Sequence, residues 1–591
     1  MPESGAMVAQ LFGWPDWCTL GLFFVGMFGI IWWVLKQKEE TSVDYFLAGR
    51  NVGWIAIGAS IFASNIGSEH LVGLAGAGAK SGMAMAHWEM HGWLILVLGW
   101  VFVPFYARSM VYTMPEFLER RYCPGARTIL SIISLVSYVL TKVAVTVWAG
   151  GTVFKTVLGI ETVQILRWEI DFFWVGAIGL VIITGIYTVL GGMKSVLYTS
   201  ILQTPVLLLG SIVILVVGLA KLGGWGELMT ICKATPTGHG TDNMMTLVRT
   251  ASDPEFPWTG VLFGSAIIGF WYWCTDQYIV QRTLSAPNQQ VARRGTIFAG
   301  YMKLLPVFIF LIPGMIAFAM KQKGLLVLDD SDKAFPLLVS TLLPVGVKGI
   351  VVGGLVAALM SSLASLFNSS AMLFTVDFYQ KFKPDSSEKH LVFVGRSATA
   401  VIVVLGIFWI PIMERLGQVL YEYLQDVQSL LAPGIAAVFL LGVFTKRASA
   451  VGGLWGLIVG FVFGMFRLLV KVVTNRWIVP SYIDSNNIGT WIRERAADPA
   501  GLNAVNTFCV KFVAVNWLHY CMFLFVLCLV TIWVVSLFTP RPSAEKIQGL
   551  TYGSATKEQI QETRASWNKW DVIHTAIILG VVVLFYIYFW G

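Results

Sequence analysis

The chain has 591 residues, of which 56% are hydrophobic and only 13% charged, and its mean hydropathy is +0.72. A soluble protein of this length needs far more polar surface, so much of this surface must face lipid. The net charge of +8 is scattered through short loops between apolar runs, which argues against a nucleic-acid binder.

A membrane-spanning helix needs about 20 mostly apolar residues. Fourteen such stretches run from end to end: 17–36, 53–75, 85–106, 128–157, 172–190, 195–220, 258–284, 296–320, 349–378, 391–413, 418–440, 449–470, 516–538 and 571–590. They predict an all-α membrane protein and leave no large soluble domain. The first run starts near Cys18 and is followed by Lys36 and Lys38, as in an uncleaved first helix.

An even number of spans puts both termini on one side, and the basic residues choose the side. Loops after odd-numbered spans hold Arg50, Arg108, Arg120, Arg121, Arg127, Lys194, Arg293, Arg294, Lys381, Lys383, Lys446 and Arg447. Those loops read as cytoplasmic. The expectation is a multi-pass plasma-membrane protein with both termini extracellular or periplasmic. The polar segments 221–257, 321–348 and 471–515 would lie outside, and 540–568 would be a cytoplasmic linker to the last helix.

None of the seven cysteines has metal-ligand spacing. Most fall in apolar spans and read as small buried hydrophobes; Cys232 and Cys509, in polar connections, could pair. No nucleophile, base and orienting partner occur together, and no phosphate-binding loop follows a strand, so an enzyme is not expected.

Two spans are interrupted. The second reads Gly58-Ala-Ser-Ile-Phe-Ala-Ser-Asn-Ile-Gly-Ser-Glu-His70, and the seventh reads Gly269-Phe-Trp-Tyr-Trp-Cys-Thr-Asp-Gln277. Freed backbone or buried charge at membrane depth costs several kcal/mol, roughly, unless protein or a wet cavity surrounds it. The two lie five spans apart. That suits two inverted five-helix halves, each opening on a broken helix around a midplane binding site. Small residues that only tighten helix packing are the plainer alternative. The predicted organisation is 1–52 (N-terminus, first helix, cytoplasmic loop), 53–220 (first repeat), 221–257 (extracellular loop), 258–440 (second repeat) and 441–591 (peripheral helices and loops).

These segments also carry a resemblance. GASIFASNIGSEHLVGLAG (Gly58–Gly76), WYWCTDQYIVQR (Trp271–Arg282), GYMKLLP (Gly300–Pro306), ALMSSLASLFNSS (Ala358–Ser370), TVDFY (Thr375–Tyr379) and PGIAAVFL (Pro433–Leu440) resemble the sodium/glucose cotransporters of the solute:sodium symporter family, in order and spacing from about Tyr45 to Lys446. The resemblance implies a LeuT-type 5+5 inverted-repeat core, spans 2 to 11. It also implies sodium-coupled uptake of a hexose, glucose or galactose, by a chain acting as a monomer. myo-Inositol, whose cyclitol ring has the same rim of hydroxyls, is the nearest alternative solute. A sugar-gated cation conductance or sensor is the alternative activity.

By the same resemblance, sodium would be held by the carbonyls of Ala63, Ile66 and Ala358 and the hydroxyls of Ser361 and Ser362. Taken alone, those adjacent serines equally suit helix packing or back-bonding to the preceding turn. Relatives that move two sodium ions commonly carry an Asp after Tyr-Thr in the sixth span. Here Ser200 follows Tyr198 and Thr199, which points to one sodium per cycle. The implied sugar contacts are Asn65, His70, Glu89, Lys142, Tyr272, Trp273, Lys303 and Gln425, with Tyr272 as inner gate and Tyr421 as outer gate. Carboxylate, ammonium and amide groups suit a rim of hydroxyls, and the aromatic rings suit the flat C–H face. Lys142 could instead pair structurally. Asp276 and Arg282 read as a scaffold pair, His91 as a cap or interface residue, and Glu69 has no clear task.

Overall fold

A computed structural model describes residues 12–36, 41–67, 69–165, 167–237, 242–413, 420–480, 482–483 and 488–591; within these ranges, the side chains at 139, 140, 144, 165, 406, 409–413 and 420–423 lie outside the description. Lys38 falls outside as well.

Helices dominate. Ten of them among the described residues are long and apolar enough to cross a membrane, or eleven if Ser42–Arg50 and Trp54–Asn65, bent by 110°, form one span. The expected spans 172–190 and 195–220 stand as two helices within Phe172–Leu222, separated by a kink at Gly192, whose φ 48, ψ −147 is not helical. A positive φ there is open to glycine without the usual Cβ penalty. The chain is not wholly helical: Thr162–Ile165 and Trp168–Asp171 pair as a short antiparallel hairpin, where β-branched and polar residues alternate. The segment 321–348 is not simply a polar loop either. It holds the helix Ala334–Leu342, with Phe335, Leu338 and Val339 fully buried. All seven cysteines are free thiols, so Cys232 and Cys509 do not pair.

Phe172–Leu222 packs along Val347–Met372, where the backbones approach closely. A Cβ on Gly354 would lie 3.0 Å from Leu207 Cα, and one on Gly210 would lie 3.1 Å from Val351 Cα. Small residues at such a seam let dispersion contacts replace the hydrophobic drive that lipid removes.

Both interrupted spans are broken. Trp54–Asn65 ends at Ile66 (φ −78, ψ 95), and the chain resumes as a wide π turn, Glu69–Leu74, followed by Ala75–Ser81. The other runs through Trp258–Phe270 and the π turn Trp271–Thr275. It stops at Asp276 (φ −75, ψ 126) and restarts as Gln277–Leu284. Tyr272 therefore stands in the wide turn, and the break comes four residues later.

One turn, residues 110–114, gathers both broken helices. Arg50, just before the first, donates to the carbonyls of Met110 (3.2 Å) and Val111 (2.9 Å). Gln277, in the second, accepts from Met114 N (2.8 Å) and donates to Tyr112 O (3.3 Å). Thr113 donates to Asp377 (2.9 Å), which Arg127 also holds at 2.7 Å.

Candidate functional site

Asn65, His70, Tyr272, Trp273, Lys303 and Gln425 line one cavity between the two breaks. The first break presents Asn65 and His70, the π turn of the second presents Tyr272 and Trp273, Lys303 closes the helix Gln289–Lys303, and Gln425 comes from Leu420–Phe444.

The polar groups form a chain. Lys303 Nζ donates to Asn65 Oδ1 at 3.0 Å and to Glu89 Oε2 at 2.6 Å, while Asn65 Nδ2 donates to the Tyr272 hydroxyl at 3.3 Å. Glu89 is fully buried behind this wall and also meets His70 Nε2 at 3.3 Å. It orients Lys303 and His70 rather than lining the cavity. Tyr272 and Trp273 stand edge to face, with centroids 4.9 Å apart. Gln425 Oε1 is buried and accepts no hydrogen bond from a described residue, an acceptor whose desolvation a hydroxyl donor would offset.

Lys142 is not among the lining residues. Its ammonium pairs with Asp276 at 3.0 Å and sits over the rings of Tyr278 (3.8 Å) and Tyr272 (4.4 Å). Tyr138 donates to the same Asp276. A buried acid was the nearest way to neutralise a buried lysine. Asp276 therefore belongs to Lys142, and Arg282, expected as its partner, turns to Ser64, donating to Oγ at 2.6 Å. Tyr421 lies at the start of its helix, with its side chain outside the described residues.

At the first break, the Ser362 hydroxyl donates to Ser64 O (3.2 Å) and Ile66 O (3.5 Å). Ala358 lies one turn earlier on the same helix, and Ala63 lies in the last turn before the break. Ser361 faces elsewhere: its hydroxyl is 3.4 Å from Ser200 Oγ. Adjacent residues on a helix point about 100° apart, so the two serines meet different neighbours. Ser64 emerges as a junction that the sequence did not single out. Its carbonyl also accepts from Tyr278, and its hydroxyl lies 2.7 Å from Ser365 Oγ.

Residues not expected there also border the cavity, among them Glu69, Trp88, His91 and Gln428. His91 Nε2 is 3.2 Å from Ser265 Oγ, and its ring fills the space beside Gly269, where a Cβ would come within 2.7 Å of Nδ1. The missing side chain at 269 was the available signal: something had to take its room.

Broken helices around a polar cavity at the centre of a lipid-facing bundle are the architecture of a solute carrier. Residues 45–460 match the Sodium:solute symporter family. The chain belongs to this family. It is therefore a multi-pass membrane transporter that couples solute movement to sodium, and not an enzyme. It is 34% identical over 577 residues to the human sodium/myo-inositol cotransporter 2, covering 93% of this chain and 80% of that protein. It is 36% identical over 564 residues to the sheep (Ovis aries) sodium/glucose cotransporter 1, covering 90% and 79%. Its fold matches the solved structure of a Na+-coupled sialic acid symporter with a TM-score of 0.70 at 20% identity, over 90% of this chain and 99% of the other.

Proposed function

We propose that this symporter carries a hexose, glucose or galactose, into the cell with one sodium ion by alternating access. The observation that carries the reading is the cavity wall. Lys303 and Asn65 offer a donor and an amide for ring hydroxyls, Gln425 offers an unused acceptor, and Tyr272 and Trp273 offer apolar faces. A polyhydroxylated ring answers all three. In this reading Glu89 and His70 hold the wall in register, Lys142 acts from behind through Asp276, and Tyr272 and Tyr421 are the gates. Ala63, Ile66, Ala358 and Ser362 supply oxygens to sodium, joined by Ser361 if its hydroxyl turns from Ser200. The chain acts as a monomer in the plasma membrane, with fourteen spans, a five-plus-five core between 53 and 440, and both termini outside.

A myo-inositol cargo is the second reading. It is favoured by the likeness to sodium/myo-inositol cotransporter 2 and by a wall that asks only for hydroxyls and a flat face. Sodium-gradient uptake of labelled glucose, galactose and myo-inositol into proteoliposomes separates the two. Uptake of none of the three would overturn both. One ion suffices energetically: a charge crossing ~100 mV yields about 2.3 kcal/mol and a tenfold gradient about 1.4 kcal/mol, enough for roughly 500-fold accumulation.

A further inference from the structure

Glu69 is the acid in the cavity to which the proposed function gives no task. It is 6% exposed, at the first turn after the broken helix. The other buried charges nearby are engaged: Lys303 with Glu89, Lys142 with Asp276, and Arg282 with Ser64 and the Tyr278 carbonyl. No hydrogen bond or salt bridge joins another described residue to the Glu69 carboxyl group; the charges of His70, Lys142 and Lys303 act on it only at longer range. A buried carboxylate in that position is costly unless a cation answers it or the group takes up a proton.

Its placement says which cation. Glu69 Oε2 and Ser362 Oγ lie 3.1 and 2.5 Å from one point, the position a Cβ on Gly67 would occupy. The carboxylate thus reaches the same side of the break as the hydroxyl that touches Ile66 O and Ser64 O. The glycine is what lets both groups converge there. Carbonyls and hydroxyls alone offer an ion dipoles but no opposite charge, whereas a carboxylate a few ångströms away supplies it directly.

We infer that the Glu69 carboxylate is the charge partner of the transported sodium ion, bordering both its site and the solute cavity. This rests on the proposed sodium site at the first break. The role differs from that of the ligating oxygens: Glu69 sets how tightly the ion is held and links its arrival to the cavity wall. By linkage, sodium and solute then raise each other's affinity by one common factor.

The test is sodium-dependent thermal stabilisation of the purified transporter without solute, compared in the native protein, Glu69→Gln, Glu69→Asp and Ser362→Ala. Glu69→Gln should raise the sodium concentration for half-maximal stabilisation by about tenfold or more, and Glu69→Asp, which keeps the charge, should stay within about threefold. If Ser362→Ala weakens sodium binding while Glu69→Gln does not, the charge-partner role is overturned and the site at the break stands. If neither does, the site itself is misplaced and the inference falls with it. Should Glu69→Gln fail to fold, infrared difference spectra of the native protein on exchanging sodium for choline decide the matter. A carboxylate stretching band should respond to sodium and move in Glu69→Asp; no such band would overturn the proposal.

Discussion

The two broken helices solve the same problem in opposite ways. At the second break, Asp276 accepts from Tyr278 N across the gap and is itself held by Lys142 and Tyr138. The acid at this break has strong, local, charge-assisted partners. At the first break, the carbonyls of Ser64 and Ile66 are met by hydroxyls, from Ser362 and Tyr278. Neutral hydrogen bonds of this kind are about half as strong as charge-assisted ones. One break is locked and the other is exchangeable, and only an exchangeable one can pass its oxygens to an ion and take them back.

The largest test of that contrast is Asp276→Asn. It preserves the shape of the lock but leaves Lys142 buried beside a neutral amide, and breaking such a pair costs about 3–5 kcal/mol. We expect a sharp drop in melting temperature and surface expression, with uptake lost; normal stability would mean the second break needs no lock. Next comes Gln425→Ala in the cavity. Losing one solute partner should cost about 1–3 kcal/mol, so half-saturation by solute should rise about 5- to 150-fold at saturating sodium. Unchanged uptake at low solute would remove Gln425 from the wall. Smaller again is Ser362→Ala at the exchangeable break, where one neutral donor is lost. Half-saturation by sodium should rise roughly fivefold, for about 1 kcal/mol, with solute recognition intact at high sodium. The smallest effect belongs to Ser200→Ala: the flux ratio should remain one sodium per solute, since a serine cannot offset a second cation's charge. A native reversal potential reporting two sodium ions would refute that reading.

The breaks were legible because glycine, serine and asparagine closing on Glu69 in the first, and Asp276 with Gln277 in the second, are costly at membrane depth unless protein or water surrounds them. Partnership was not. Lys142 and Asp276 are 134 residues apart, and the neighbours of each reveal only its depth, so Lys142 reads equally as a solute contact or as half of a pair. Ser361 and Ser362 fail in the opposite sense: adjacency suggests a shared duty, while helical rotation sends one to Ser200 and the other to the break. The division of 172–190 from 195–220 was legible in the Gly191-Gly192 pair, since Gly192 is where the backbone leaves helical geometry.

The turn at 110–114 has a mechanical meaning. Arg50, at residues 110 and 111, and Gln277, at 112 and 114, hold neighbouring backbone groups of one turn, so the second broken helix and the segment leading into the first are moored side by side. A tilt of either pulls on the turn to which the other is also tied. The turn is thus a yoke: two handles on one short bar, where a load on one is carried to the other.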